Sequence, residues 1–82
     1  MTIEVIMFGI AREIFGKSSV AIESNDADTF DVGQLKNELE KQQPRLHELG
    51  SYMIAVNNEY AADKILIKEK DEVAVIPPVS GG

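Results

Sequence analysis

The sequence contains no cysteine among its 82 residues. It can therefore form neither a disulfide framework nor a cysteine-based zinc or redox site, and it suits a reducing compartment. It also has no basic, apolar leader at its start, and no stretch approaches the roughly 18 apolar residues of a membrane span. We therefore expect a cytoplasmic protein that does not enter a membrane.

Basic residues are scarce. Eight lysines and arginines stand against 14 acidic residues, which gives a formal charge of -6. This balance repels nucleic acids and anionic membranes, and it favours a partner with a basic surface. Alternatively, the charge serves only to keep a small protein soluble.

The length allows one domain with one modest core, and the 44% hydrophobic and 27% charged residues are typical of a globular chain. A β-branched run from Ile3 to Phe8 predicts the first strand. Its odd positions share one face, whereas Ile6 and Phe8 are large and apolar on the other, so both faces require cover. Gly16 is expected to end a short helix, and "SSVAIE" predicts the second strand.

The main helix is predicted to begin after the N-cap Asp31 and to end at Pro44. Its apolar stripe comprises Val32, Leu35 and Leu39.

Three further strands are predicted beyond this helix: "YMIAV", a short strand around Tyr60 after the turn-forming "NNE", and "EVAVI". Ile65 and Ile67 are expected to anchor the connection before the last strand. The element order is therefore ββαβββ, and its single main helix can cover only one face of a sheet.

Three patterns that imitate functional sites are interpreted as structural. The "GKS" at residues 16–18 lacks the first glycine of a phosphate-binding loop and precedes a strand, where a helix is required. Asp26, Asp28 and Asp31 lack the glycine and glutamate of a calcium loop, so no metal site is predicted. His47 is the only histidine and is interpreted as a surface residue.

The end of the sequence, "PPVSGG", offers a different kind of reactive group, the α-carboxylate of Gly82. An activated carboxylate is an acyl donor, and glycines are slim enough to enter a narrow enzyme channel. Two prolines stop the sheet and stiffen the base of the tail. The alternative is an inert, frayed terminus.

The stretches "VIMFGIAREIFG", "IAVNNEY" and "DEVAVIPPVSGG" together resemble the small subunit of molybdopterin synthase, the MoaD-like sulfur carriers of the ubiquitin-like β-grasp class. The resemblance implies an α+β fold with a mixed, mostly antiparallel sheet, one main amphipathic helix and a Gly-Gly tail. It divides the chain into a β-grasp domain, 1–76, and an extended tail, 77–82.

The family's chemistry implies that an ATP-dependent enzyme adenylates Gly82 and that sulfur then replaces AMP to give a thiocarboxylate. The large synthase subunit would accept the tail and pass the sulfur to cyclic pyranopterin monophosphate. This chain would be a carrier, not an enzyme on its own, with no bound cofactor, in an assembly of two small and two large subunits. The residues implied in insertion of the tail are Pro77, Pro78, Val79, Ser80, Gly81 and Gly82.

The resemblance also implies a docking surface on the uncovered sheet face, at Phe8, Tyr60 and Ile76. The sequence departs from the family where Val75 and Ile76 replace aromatic residues, and where Lys70 replaces a glycine before Asp-Glu. Two other functions remain open: a sulfur carrier for another pathway, such as thiamine thiazole formation, and a ubiquitin-like modifier that Gly82 joins to lysines. A binding module with an inert tail is a third.

Overall fold

A computed structural model describes residues 1–25 and 28–78 of the chain. It contains a five-stranded sheet, two α-helices and a 3-10 helix. In chain order these are β1 Thr2–Met7, α1 Gly9–Phe15, β2 Ser19–Glu23, α2 Val32–Gln42, the 3-10 helix Pro44–Leu49, β3 Met53–Val56, β4 Glu59–Tyr60 and β5 Val73–Ile76. No helix in this part of the chain has the length and apolar character needed to cross a membrane.

The sheet has the strand order β2-β1-β5-β3-β4. The central strands β1 and β5 run parallel, and the other three pairs are antiparallel. The predicted mixed, mostly antiparallel sheet and its order of elements are confirmed. The first and last strands of the chain, β1 and β5, are therefore neighbours in the sheet.

The core lies between the sheet and α2. The odd positions of β1 (Ile3, Val5 and Met7) are fully buried, and so are Val73 and Val75 of β5. The predicted stripe of α2, comprising Val32, Leu35 and Leu39, is fully buried as well. One amphipathic helix therefore covers one face of the sheet, and the opposite face keeps its exposed apolar residues.

The start of α2 is fixed by side-chain and backbone bonds together. Asp31 is the N-cap, and its Oδ1 accepts a hydrogen bond from the backbone N–H of Gln34 at 2.8 Å. The N–H of Gly33 donates to the carbonyl of Asp63 at 2.9 Å. A Cβ at Gly33 would lie 3.4 Å from that carbonyl oxygen, which is ordinary van der Waals contact, so the structure gives no steric reason for glycine at this position.

As predicted, α2 ends before Pro44, and this proline begins a separate 3-10 helix, which buries Leu46. One detail of the sequence-based prediction is wrong. Ile67 anchors the connection before β5 as expected, but Ile65 does not, since 47% of it is exposed. Apolar character alone did not distinguish the inward residue from the outward one.

The 3-10 helix is followed by Tyr52, whose hydroxyl donates a hydrogen bond to Glu40 of α2. Burial and this bond to a carboxylate raise the pKa of Tyr52 above its ordinary value. His47 also contacts Glu40 (Nδ1 to Oε1, 3.1 Å), and its side chain is 82% exposed, as expected of a surface residue.

The turn before β5 shows how the chain accommodates Lys70. The N–H of Asp71 donates to the carbonyl of Lys68 at 3.0 Å, and the Asp71 carboxylate accepts from the N–H of Lys68 at 2.8 Å. Within residues 1–25 and 28–78, the non-glycine residues with positive φ are Asn57 and Asn58 of the β3–β4 turn, so Lys70 is not one of them. The turn therefore closes without a glycine.

We expect protonation of Asp71 to loosen this turn. The hydrogen bonds from Lys68 N–H and from the Asn57 side chain lower the pKa of Asp71. Because the folded-state pKa is depressed, the stabilisation is complete above the unfolded pKa, about 3.9. It is lost as the pH falls from there through the folded value. Urea unfolding between pH 5.5 and 2.5 should show a shallower acid loss of stability for Asp71→Asn than for the wild type.

Glu69→Gln is the matched control, because Glu69 lies in the same turn and its carboxylate makes no hydrogen bond within residues 1–25 and 28–78. This variant should follow the wild-type curve. Identical acid slopes for the wild type and Asp71→Asn would show that the bonds of Asp71 do not contribute.

Candidate functional site: an apolar groove on the open sheet face

The open face of the sheet contains a groove of about 390 Å³, which we call the sheet groove. Its floor includes two alanines, Ala55 and Ala74, on neighbouring strands. Larger side chains surround them: Ile6, Phe8, Tyr60 and Ile76. The groove exists because small residues occupy the centre of the face and large apolar residues its borders.

The strand register explains why these residues meet. Ile6 pairs with Ala74 across the parallel β1–β5 ladder. Ala74 pairs with Ala55, and Ala55 pairs with Tyr60. These side chains therefore form one row across four strands, since directly paired residues point to the same face.

A second apolar row lies closer to the C-terminal end of β5. Ile76 pairs with Met53, and the N–H of Phe8 donates to the carbonyl of Val75 at 3.3 Å. Phe8 and Met53 are each 44% exposed, and Tyr60 in the first row is 68% exposed. Exposed apolar side chains clustered in this way are typical of an interaction surface.

Three predicted partner-binding residues, Phe8, Tyr60 and Ile76, thus lie around one groove, although they are far apart in the sequence. Their role in binding stays a prediction. Of the predicted tail residues, Pro77 is half-buried and Pro78 is exposed. Val79, Ser80, Gly81 and Gly82 lie outside the described residues, as does Asp26 of the acidic loop.

Sequence reasoning missed Met53 and Ala55. The signal was available, because Ile54 between them is fully buried and strand residues alternate between faces. Once Ile54 is assigned to the core, its two neighbours must face outward.

Acidic side chains border the groove at the end remote from the tail. Glu72 lines the groove and is exposed. Glu4 precedes Val5, which pairs with Val73, so Glu4 and Glu72 occupy adjacent outward positions. Neither carboxylate has an ion pair within residues 1–25 and 28–78. A protein that fits this face would present apolar groups to the groove and basic groups to its acidic border.

The base of the tail rests on the turn between β1 and α1. Gly9 begins α1 with a φ of +53°, and a Cβ at this position would lie 3.1 Å from Cγ of Pro77. Pro77 follows directly after β5, which carries Ala74 and Ile76 of the groove. The groove and the start of the tail are therefore parts of one continuous surface.

The "GKS" stretch lies at the wrong end of its helix for binding phosphate. Gly16 is the C-cap of α1, with a φ of 71°, and its N–H donates to the carbonyl of Arg12 at 2.8 Å. Helix carbonyls, not N–H groups, are unpaired at this end. The structural interpretation of this pattern is therefore supported.

Sheet order, a single covering helix and an open apolar face together define a ubiquitin-like β-grasp protein, as predicted. The ThiS family model matches residues 5–82. The chain belongs to this family.

Curated relatives match over nearly the whole chain. The Arabidopsis thaliana molybdopterin synthase sulfur carrier subunit is 35% identical over 98% of this chain and 82% of its own length. The Homo sapiens subunit of the same name is 37% identical over 98% of this chain and 93% of its own. The resemblance to the molybdopterin synthase sulfur carriers is confirmed.

Solved structures share the fold. The Haloferax volcanii protein SAMP1 has a TM-score of 0.85 at 26% identity, with both chains fully covered. A putative molybdopterin converting factor subunit 1 from Pyrococcus furiosus has a TM-score of 0.84 at 26% identity, covering 96% of this chain and 99% of that one. A complex of subunits 1 and 2 of molybdopterin-converting factor from Helicobacter pylori contains a chain with a TM-score of 0.66 at 28% identity, with both chains fully covered.

Proposed function

We propose that this protein is the sulfur carrier subunit of a molybdopterin synthase. The observation that carries the proposal is the full-length similarity, at 35% and 37% identity, to chains named for this function. The geometry supports it, because the apolar groove lies beside the strand that leads directly into Pro77. A partner bound in the groove would be close to the point where the tail begins.

The proposed chemistry takes place at the α-carboxylate of Gly82. A carboxylate oxygen attacks the α-phosphorus of ATP, which forms an acyl adenylate and releases pyrophosphate. Hydrosulfide supplied by the activating system then adds at the carbonyl carbon, AMP leaves, and a thiocarboxylate and a proton remain. The synthase would transfer this sulfur to cyclic pyranopterin monophosphate, and water would restore the carboxylate.

Two protein partners follow from this cycle: an ATP-dependent activating enzyme and a large synthase subunit. The Helicobacter pylori complex of subunits 1 and 2 supports a contact of the second kind. We extend this proposal to an assembly of two small and two large subunits in the cytoplasm. The only nucleotide required is the ATP that the activating enzyme uses.

We expect the protein isolated from active cells to carry sulfur at Gly82. Mass spectrometry of the terminal peptide should show a fraction heavier by the difference between one sulfur and one oxygen atom. Deletion of Gly82 should remove this fraction completely and abolish sulfur transfer to the pterin. The terminal peptide must be isolated, because oxidation of Met1, Met7 or Met53 adds nearly the same mass to the intact chain. A uniformly unmodified terminus would contradict the carrier function.

A ubiquitin-like modifier is the second candidate, because the small archaeal modifier protein 1 of Haloferax volcanii shares the fold at 25% identity. In that case Gly82 would form isopeptide bonds with lysines of other proteins. An immunoblot of tagged protein in cell extract separates the two functions. A ladder of heavier conjugates that requires Gly82 would indicate the modifier, whereas one free band together with the sulfur-bearing terminus would indicate the carrier. A carrier for thiamine thiazole formation would be sulfurated but inactive with cyclic pyranopterin monophosphate.

A further inference from the structure

Two features of the structure favour glycine at residue 9. Its φ of +53° lies in the left-handed region, which side-chain-bearing residues rarely adopt. Independently, a Cβ at Gly9 would approach Cγ of Pro77 to 3.1 Å. Carbon atoms in optimal contact are about 3.5 to 4.0 Å apart, so a side chain here would push the proline outward.

Pro77 controls the direction in which the chain leaves the sheet. It follows the last residue of β5 directly, and its ring fixes its own φ near -65°. The preceding strand end is held by the bond from Phe8 N–H to the Val75 carbonyl. With the strand fixed on one side and the ring packed on Gly9 on the other, little freedom remains at the base of the tail.

We propose that Gly9 is a positioning residue for the tail, in that its bare α-carbon seats Pro77 and thereby aims the chain from Pro78 onward at the active site of the activating enzyme. The inference rests on the proposed sulfur-carrier function. The proposal assigns two tasks to one surface. The sheet groove would bind the partner protein, and the Gly9–Pro77 contact would set the direction in which the tail leaves the sheet.

The chain contains a matched control for this contact. Gly16 also has a positive φ, +71°, but a Cβ added there meets nothing within 4 Å. Asparagine tolerates the left-handed conformation better than most residues. Comparison of Gly9→Asn with Gly16→Asn therefore separates the crowding of Pro77 from the cost of the backbone conformation.

The measurement is pyrophosphate release by the ATP-dependent activating enzyme at varied concentrations of the full-length carrier. Reaction rates are sensitive to small displacements, and about 1 Å can cost 100-fold. For a shift of a few tenths of an ångström we expect kcat to fall roughly 3- to 10-fold in Gly9→Asn, with KM unchanged. Gly16→Asn should retain both values. If Gly9→Asn fails to fold by circular dichroism, Gly9→Ala takes its place.

A double variant tests whether the effect passes through the proline. Pro77→Ala removes the Cγ atom that a side chain at residue 9 would crowd. In that background, Gly9→Asn should reduce kcat less than it does in the wild type. Equal kcat values for the two asparagine variants, or an undiminished effect without the proline ring, would overturn the inference alone. Absence of pyrophosphate release with the wild type would overturn the proposed function and this inference with it.

Discussion

Replacement of Phe8 with aspartate is expected to abolish the stable complex with a large synthase subunit while the fold remains intact. Phe8 is 44% exposed at the border of the sheet groove, so the free protein tolerates a polar side chain there. In the complex, a carboxylate would be buried against apolar groups without a partner. Truncation of an aromatic hot-spot residue in an interface costs about 2 kcal/mol or more. With an added buried charge, we expect at least about a 100-fold weaker Kd.

Size-exclusion chromatography of the mixed subunits measures the loss, and circular dichroism checks the fold. Ile76→Asp should behave similarly, because Ile76 borders the same groove. Leu66→Asp is the matched control, since Leu66 is 52% exposed but does not line the sheet groove. Its complex should elute like the wild type. Undiminished binding by Phe8→Asp would show that the partner docks elsewhere.

The apolar character of the open sheet face could be predicted from the sequence. Alternation in β1 predicted that Ile3, Val5 and Met7 share one face and that Ile6 and Phe8 share the other, and in the structure the first face is the buried one. The single amphipathic helix predicted that only one face is covered. From these two facts, an exposed apolar surface follows without coordinates.

The shape of that surface did not follow, because a groove depends on pairing between distant strands. Ala55 and Ala74 do not stand out in the sequence. They form the floor of the sheet groove only because the register of β3 and β5 pairs them directly. The contact between Gly9 and Pro77 has the same origin, since 67 intervening residues separate two groups that meet at the end of the sheet. Local patterns predict which face a residue occupies, whereas register and packing decide its neighbours.

The two faces of the sheet differ in what their apolar residues contribute to the stability of the chain. The apolar residues on the α2 side are buried within the chain and stabilise it. Those on the opposite side contribute less to folding because they remain partly in water. Substitutions on the α2 side of the sheet should therefore reduce stability, whereas substitutions on the groove side should reduce binding.

The stability half of this contrast is tested by Leu35→Ala. Leu35 of α2 is fully buried and belongs to the core cluster that also contains Val5 and Val75 of the sheet. Removal of a buried leucine side chain costs about 3 to 5 kcal/mol, from lost burial and the cavity that remains. A domain of this size has a total stability of only roughly 4 to 12 kcal/mol. We therefore expect a Tm lower by at least about 10 °C, measured by thermal unfolding.

Leu66→Ala makes the same chemical change at a residue that is 52% exposed. Because much of this side chain already contacts water, its truncation should alter the free energy of unfolding by well under 1 kcal/mol. Comparison of Leu35→Ala with Leu66→Ala thus separates the effect of burial from the effect of the leucine-to-alanine change itself. Similar losses for both variants would mean that the loop from Ile65 to Ile67 carries as much of the stability as α2 does. A large difference would locate the stabilising contacts between α2 and the sheet, on the face opposite the sheet groove.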